Sequence, residues 1–248
     1  MVVEDQFERA LDSLKGGNCV AVLDAESREA ETDLFFPAES LSPQNLRLLR
    51  TAAGGELYIS IGHEVATAVG FPFIGEVLAD TQLGEIYPVL QHMSKERLKM
   101  CQGSCSVGLS LDHRSLKTGA PDVERSYTCR RLAELYKEVV DGSVAADEAG
   151  RLFGKEFHTP GHIFMCVENQ KGLQVRTGHT ELSVALARAA GIAPIMVGCV
   201  MLSNEGDKYG ALESDLARSW TATNGVPFLT GQEVIDKLKV ETTNNSHS

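Results

Sequence analysis

The chain has 248 residues, 43% of them hydrophobic, and a formal net charge of -11. That length can bury one large core or two small ones, and the acidic balance argues against a nucleic-acid footprint, which needs a basic patch. No apolar stretch approaches the roughly 20 residues of a membrane span, and the start Met1-Val2-Val3-Glu4-Asp5 lacks the basic and apolar regions of a signal peptide, so a cytoplasmic location is expected.

In chain order, Phe7, Ala10, Leu11 and Leu14 share one helical face, and Gly16-Gly17 ends that helix. Cys19 to Leu23 is an apolar run that reads as a buried strand. Ser42-Pro43 opens a second helix through Leu46, Leu48 and Leu49, closed by Gly54-Gly55, and Leu57 to Ile61 reads as a strand. Asp80 to Gln102 has mixed charge and no period, which predicts irregular structure. A strand is expected over Ser104 to Leu111, a helix over Arg125 to Val140 with Leu132 and Leu135 inward, and a polar surface loop over Asp141 to Gly150. Ile163 to Val167 predicts a strand, Thr180 to Ala190 a helix, Ile195 to Leu202 a strand and Asp207 to Thr223 a helix. Val226 to Leu229 closes the strand set, and Thr230 with Glu233 forms a capping box for a last helix. This alternation, without linker or repeat, predicts an α/β fold of the α+β type. The expected form is a single three-layer domain over residues 1–240, with a mixed twisted sheet flanked by helices, and a disordered polar tail over 241–248. A doubly wound nucleotide fold is the alternative, but no Gly-x-Gly-x-x-Gly follows the first strand.

The six cysteines, Cys19, Cys101, Cys105, Cys129, Cys166 and Cys199, make no paired Cys-x-x-Cys pattern, so no zinc site is expected. Cys166 and Cys199 lie inside apolar runs and read as buried thiols in a reducing interior.

Chemistry concentrates in two clusters. Asp24 to Asp33 packs five acidic side chains and Arg28 into ten residues directly after the first strand. Carboxylates this crowded repel one another unless a cation sits among them. Arg176-Thr177-Gly178-His179-Thr180-Glu181 joins an anion-seeking Arg, a Gly, an imidazole and a Thr where a helix can begin. Either alone is ordinarily a solvated loop or a helix cap. Their occurrence with a third such segment, Thr159-Pro160-Gly161-His162, points instead to a metal ligand beside an anion site.

These segments resemble the 3,4-dihydroxy-2-butanone 4-phosphate synthase family of riboflavin biosynthesis. The resemblance rests on the acidic loop Asp24 to Asp33, Thr118-Gly119 followed by Glu124-Arg125, Pro160-Gly161-His162, and Arg176 to Glu181, in that order. The spelling Arg28-Glu29-Ala30-Glu31-Thr32-Asp33, with Gly154-Lys155-Glu156-Phe157 before Pro160, is similar to archaeal members. The resemblance implies that Glu29 and His179 bind Mg²⁺ or Mn²⁺, a cation that oxygen and imidazole ligands suit. It implies catalytic roles for Asp24, Glu31, Asp33 and His162, and substrate-binding roles for Arg28, Thr118, Arg125, Arg176 and Thr180, the last group gripping a sugar phosphate. It further implies a homodimer in which each site is completed by the partner, His162 acting on the neighbouring subunit.

This chain departs from the family pattern at three points. The family's Gly-Leu-Ile-Cys after the first Gly-Gly is here Gly55-Glu56-Leu57-Tyr58, its late Cys-Glu is Cys199-Val200, and the Asp of its mid-chain Asp-Arg is Glu124. The lost Glu is catalytic in the family, and Val cannot move a proton. Glu205 and Asp207 are the nearby carboxylates that sequence offers in exchange. The reading is therefore an active synthase, with a diverged sugar-phosphate binder as the alternative.

Overall fold

The computed structural model describes residues 5–78, 81–90, 107–204 and 209–240. The expected disordered tail, Cys101 and Cys105, and Glu205 and Asp207 all lie outside those residues.

Among the described residues, seven strands form one sheet: β1 Val20–Leu23, β2 Thr32–Pro37, β3 Gly54–Ile61, β4 Val107–His113, β5 Phe157–Val167, β6 Ile195–Met201 and β7 Phe228–Thr230. Their order is β4-β5-β3-β6-β2-β1-β7. β1 with β2, β2 with β6, β3 with β6 and β4 with β5 are antiparallel, whereas β1 with β7 and β3 with β5 are parallel. The mixed sheet expected from sequence is thus present.

Alternation along the strands assigns the layers. Val20, Val22 and Phe35 enter one core with α1 (Gln6–Lys15), α8 (His179–Ala189) and α10 (Gly231–Leu238). Ala21, Leu23, Leu34 and Phe36 enter the other, against α2 (Pro43–Leu48), α3 (His63–Val69), α6 (Asp122–Val140) and α7 (Ala146–Glu156). β1 is buried at all four positions because helices cover both of its faces, which is why its sequence is a continuous apolar run.

The predicted capping box is present: Thr230 Oγ1 accepts from the Glu233 amide at 3.2 Å, and Glu233 accepts from the Thr230 amide at 2.7 Å. Thr230→Ala should lower unfolding stability by about 1 kcal/mol in a denaturant melt without altering the site.

Three sequence expectations need correction. The loop drawn over Asp141 to Gly150 ends early, because Ala146 starts α7, whose Ala149 and Phe153 are buried one turn apart. The helix expected from Asp207 begins at Ser214, as α9 (Ser214–Asn224); Ala211 instead bridges Leu202 in extended conformation. The irregular region from Asp80 contains a short helix, α5 (Thr81–Ile86), preceded by α4 (Ile74–Leu78).

Candidate active site

The β1–β2 connection is built around one carboxylate. Asp24 is buried and accepts from Arg28 Nη1 at 2.8 Å, the Glu29 amide at 3.2 Å and the Glu31 amide at 3.1 Å. The loop closes through Ala30 at a φ of 55°, a left-handed conformation uncommon for a residue with a Cβ. Winding on Asp24 turns Glu29 and Glu31 inward over the end of the sheet.

His179 opens α8 directly opposite. Its Nδ1 lies 3.6 Å from Glu29 Oε2, and its Nε2 lies 3.7 Å from Asp33 Oδ1 and 3.1 Å from the Glu31 carbonyl oxygen. Burial disfavours charge on this imidazole, but Asp33, Glu29 and Asp24 together outweigh it and lift its pKa to about 9. Glu29 is held down at about 2, first by its hydrogen bond with His179 and then by Arg28. Burial, reinforced by Asp33 and Glu29, raises Glu31. Asp33 is raised by burial, against the opposing pull of His179 and the hydroxyl of Tyr58, which donates to Asp33 Oδ2. Carboxyls displaced upward in a cleft are candidates for proton transfer.

Ligand atoms of Asp24, Glu29 and His179 lie within 4.8 Å of one another, and the other Asp33 oxygen, Oδ1, is buried without a hydrogen bond. Oxygen donors with one imidazole fit a hard divalent cation, which would take the place of the His179 proton as the positive partner. The anion end adjoins this corner. A Cβ on Gly178 would stand 2.9 Å from Arg176 Nη1 and 3.0 Å from Arg28 Nη2, so only Gly lets both guanidinium groups close on the start of α8. Arg176 is aimed by the buried Glu181, which accepts from its Nη1 at 2.6 Å. An anion there would meet two cations and the helix N-terminal amides near Thr180.

These groups enclose a pocket of about 190 Å³. It is lined by Arg28, Glu29, Glu31, Asp33, Arg176, His179 and Thr180, seven of the residues expected from sequence, and also by Glu56, Tyr58, Cys166 and Val200. Cys166 is therefore only half-buried, a correction to its reading as a core thiol, while Cys199 is buried as expected. A wider groove of about 920 Å³ near His63 and Lys171 spends its charge internally, since Arg188 ion-pairs with both Glu64 and Glu168.

Thr118, Arg125 and His162 do not line this pocket. His162 and the Thr118-Gly119 turn meet instead around Asp112. His162 Nδ1 sits 2.6 Å from Oδ2 of the buried Asp112, whose Oδ1 accepts from the His162 amide at 3.1 Å. Gly119, at a φ of 80°, packs so tightly on Asp112 that a Cβ would lie 2.1 Å from its carboxylate. Glu124 holds the Thr118-Gly119 turn by accepting from the Thr118 amide at 3.0 Å and the Gly119 amide at 2.6 Å. Arg125 is bound to Asp122 at 3.2 Å. The sequence carries no local mark of Asp112, which β4 buries next to Leu111 at a shift in its register with β5.

A sheet of this topology carrying an acidic loop against a Gly-His-Thr-Glu helix start defines a class, and comparisons with known proteins give it a name. Residues 8–237 match the family model of 3,4-dihydroxy-2-butanone 4-phosphate synthase. The synthase of Methanosarcina mazei is 33% identical over 237 residues, 94% of this chain and 90% of its own. That of Archaeoglobus fulgidus is 35% identical over 235 residues, 94% of each. A solved synthase structure in complex with two magnesium ions superposes with a TM-score of 0.71 at 24% identity, covering 95% of this chain and 97% of its own. The chain belongs to the 3,4-dihydroxy-2-butanone 4-phosphate synthase family. Among the described residues, no helix is long and apolar enough to cross a membrane.

Proposed function

We propose that the chain converts D-ribulose 5-phosphate to L-3,4-dihydroxy-2-butanone 4-phosphate and formate, in the cytoplasm, as a step of riboflavin biosynthesis. The observation that carries this reading is the meeting of Glu29 and His179 with paired Arg28 and Arg176 in one small pocket. Mg²⁺ or Mn²⁺ at Glu29 and His179 would supply Lewis-acid stabilisation of negative charge on the sugar's oxygens; a relative's structure holds two magnesium ions. Arg28, Arg176 and the amides near Thr180 hold the phosphate. Glu31 and Asp33 take a proton from the carbon beside the ketone and return one to the departing hydroxyl, which leaves as water. After the carbon skeleton shifts, a water re-enters as the one-carbon unit leaves as formate, so product and formate together carry every atom of the substrate. Tyr58 keeps Asp33 in place by donating to it. Asp24, spent on the loop, shapes the site through Arg28, Glu29 and Glu31.

The group around Asp112 fits the same reading if the enzyme is a homodimer. Asp112 then orients His162 toward the partner's pocket, with the Thr118-Gly119 turn packed on the same carboxylate and Arg125 held by Asp122. The diverged alternative rests on Val200 and Tyr58, which replace the family's Glu and Cys; it has less support, because the pocket retains Glu29, Glu31, Asp33 and His179 around them. Formate release from ribulose 5-phosphate by purified protein decides between them. Release that needs Mg²⁺ and stops with EDTA is the expected result; no formate from a protein that still binds the sugar phosphate establishes the diverged relative.

A further inference from the structure

We propose that Glu56 is a catalytic residue of this chain, the carboxylate that transfers protons at the Val200 wall of the pocket. The inference rests on the synthase reading of the site and adds a group to it.

β3 pairs with β6 at Gly54 opposite Met201 and again at Leu57 opposite Cys199, so three steps along β3 match two along β6. One extra residue is accommodated over Gly55 and Glu56, both facing Val200. A bulge of this kind re-aims a side chain at a sheet end and is over-represented beside active sites. Gly55 makes it possible, because a Cβ there would stand 2.2 Å from Val200 Cγ1. Beyond it, Leu57 is buried in the core on one face, while Glu56 and Tyr58 both line the pocket on the other.

Val200 stands between that bulge and Asp33, its direct cross-strand partner on β2. Its side chain gives this wall neither donor nor acceptor, so the carboxylate serving it comes from a neighbouring strand. Asp33 is engaged by Tyr58 and faces His179, and Glu29 is engaged by Arg28 and His179. Glu56 lines the pocket exposed, with no hydrogen bond or ion pair among the described residues. A fourth acid in the lining beside Glu29, Glu31 and Asp33 makes no contact in the folded chain that would hold it for structure, which leaves it free for proton transfer. Two of the three departures from the spelling that the resemblance implies also fit together: Glu56 stands where Gly-Leu-Ile-Cys has Leu, and Val200 stands where Cys-Glu has Glu. The carboxylate of this wall therefore stands on the strand adjacent to Val200. Glu56 would accept a proton from bound sugar or attacking water and return it within the cycle, leaving no net change in its own charge.

Formate release and ribulose 5-phosphate binding by calorimetry, measured on the full chain with Mg²⁺, test this. Glu56→Gln should lower kcat about 100-fold with sugar-phosphate affinity and thermal midpoint unchanged, and Glu56→Asp should keep part of the rate. The exchange Glu56→Leu with Val200→Glu should recover at least about tenfold over Glu56→Leu alone, which a solvent-facing structural role would not produce. Wild-type kcat in Glu56→Gln overturns the assignment and leaves the synthase reading standing. A wild-type chain that releases no formate overturns both.

Discussion

Replacing Glu29 with Ala should cut metal-dependent formate release by about 10³-fold or more while leaving the protein folded. Glu29 is half-exposed and takes no part in either core, so its removal forfeits little packing. What it forfeits is the charge that faces His179 at 3.6 Å and Arg28 at 2.8 Å. Held at about 2 by those partners, Glu29 is an anion throughout the physiological range and needs no deprotonation before it ligates a cation. Loss of one ligand from a divalent site that keeps several positions for water and substrate weakens the cation and the sugar together. Mn²⁺ titration followed by electron paramagnetic resonance should therefore show weakened binding in Glu29→Ala, and equally in His179→Ala. The double variant should be scarcely worse than either single one, because groups that act as a unit are not additive. Full Mn²⁺ affinity with unchanged formate release in Glu29→Ala would move the metal elsewhere.

What sequence made legible was whatever is contiguous. The apolar run of β1 and the acidic loop behind it are neighbours in the chain, and the loop's chemistry is set by residues within ten positions, centred on Asp24. The Thr230 capping box is local in the same sense. β2 gave no periodic signal, since all six of its positions are buried and one of them is Asp33. α7 stayed hidden because its buried stripe is only Ala149 and Phe153 between flexible Gly positions. The role of Glu56 depends on how β3 registers against a strand some 140 residues away, which no local pattern encodes. Asp112 is the same problem in smaller form: one acid on a strand acquires meaning only when β5 lays His162 beside it.

Mixing two inactive variants should restore activity. If the chain is the homodimer proposed above, Glu29→Ala and His162→Ala variants, each nearly silent alone, should recover about a quarter of wild-type formate release after unfolding and refolding together, since half the dimers would be mixed and each mixed dimer would hold one intact composite site. His162, Phe164 and Cys166 alternate onto the same face of β5, and only Cys166 reaches the pocket. His162 lies four residues back, roughly 13 Å along the strand, too far to serve a substrate gripped by Arg28 and Arg176. Yet its imidazole is 49% exposed and rigidly aimed by Asp112, an expensive arrangement for a side chain with nothing to act upon. Phe164, 42% exposed between the two, offers the apolar contact a second copy would cover. In the proposed homodimer, a two-fold axis near this strand would place each His162 against the other chain's pocket. Asp112→Asn should then lower kcat with little change in KM, and the same variant should complement Glu29→Ala as His162→Ala does. Mixed dimers no more active than their parents would assign His162 to its own chain.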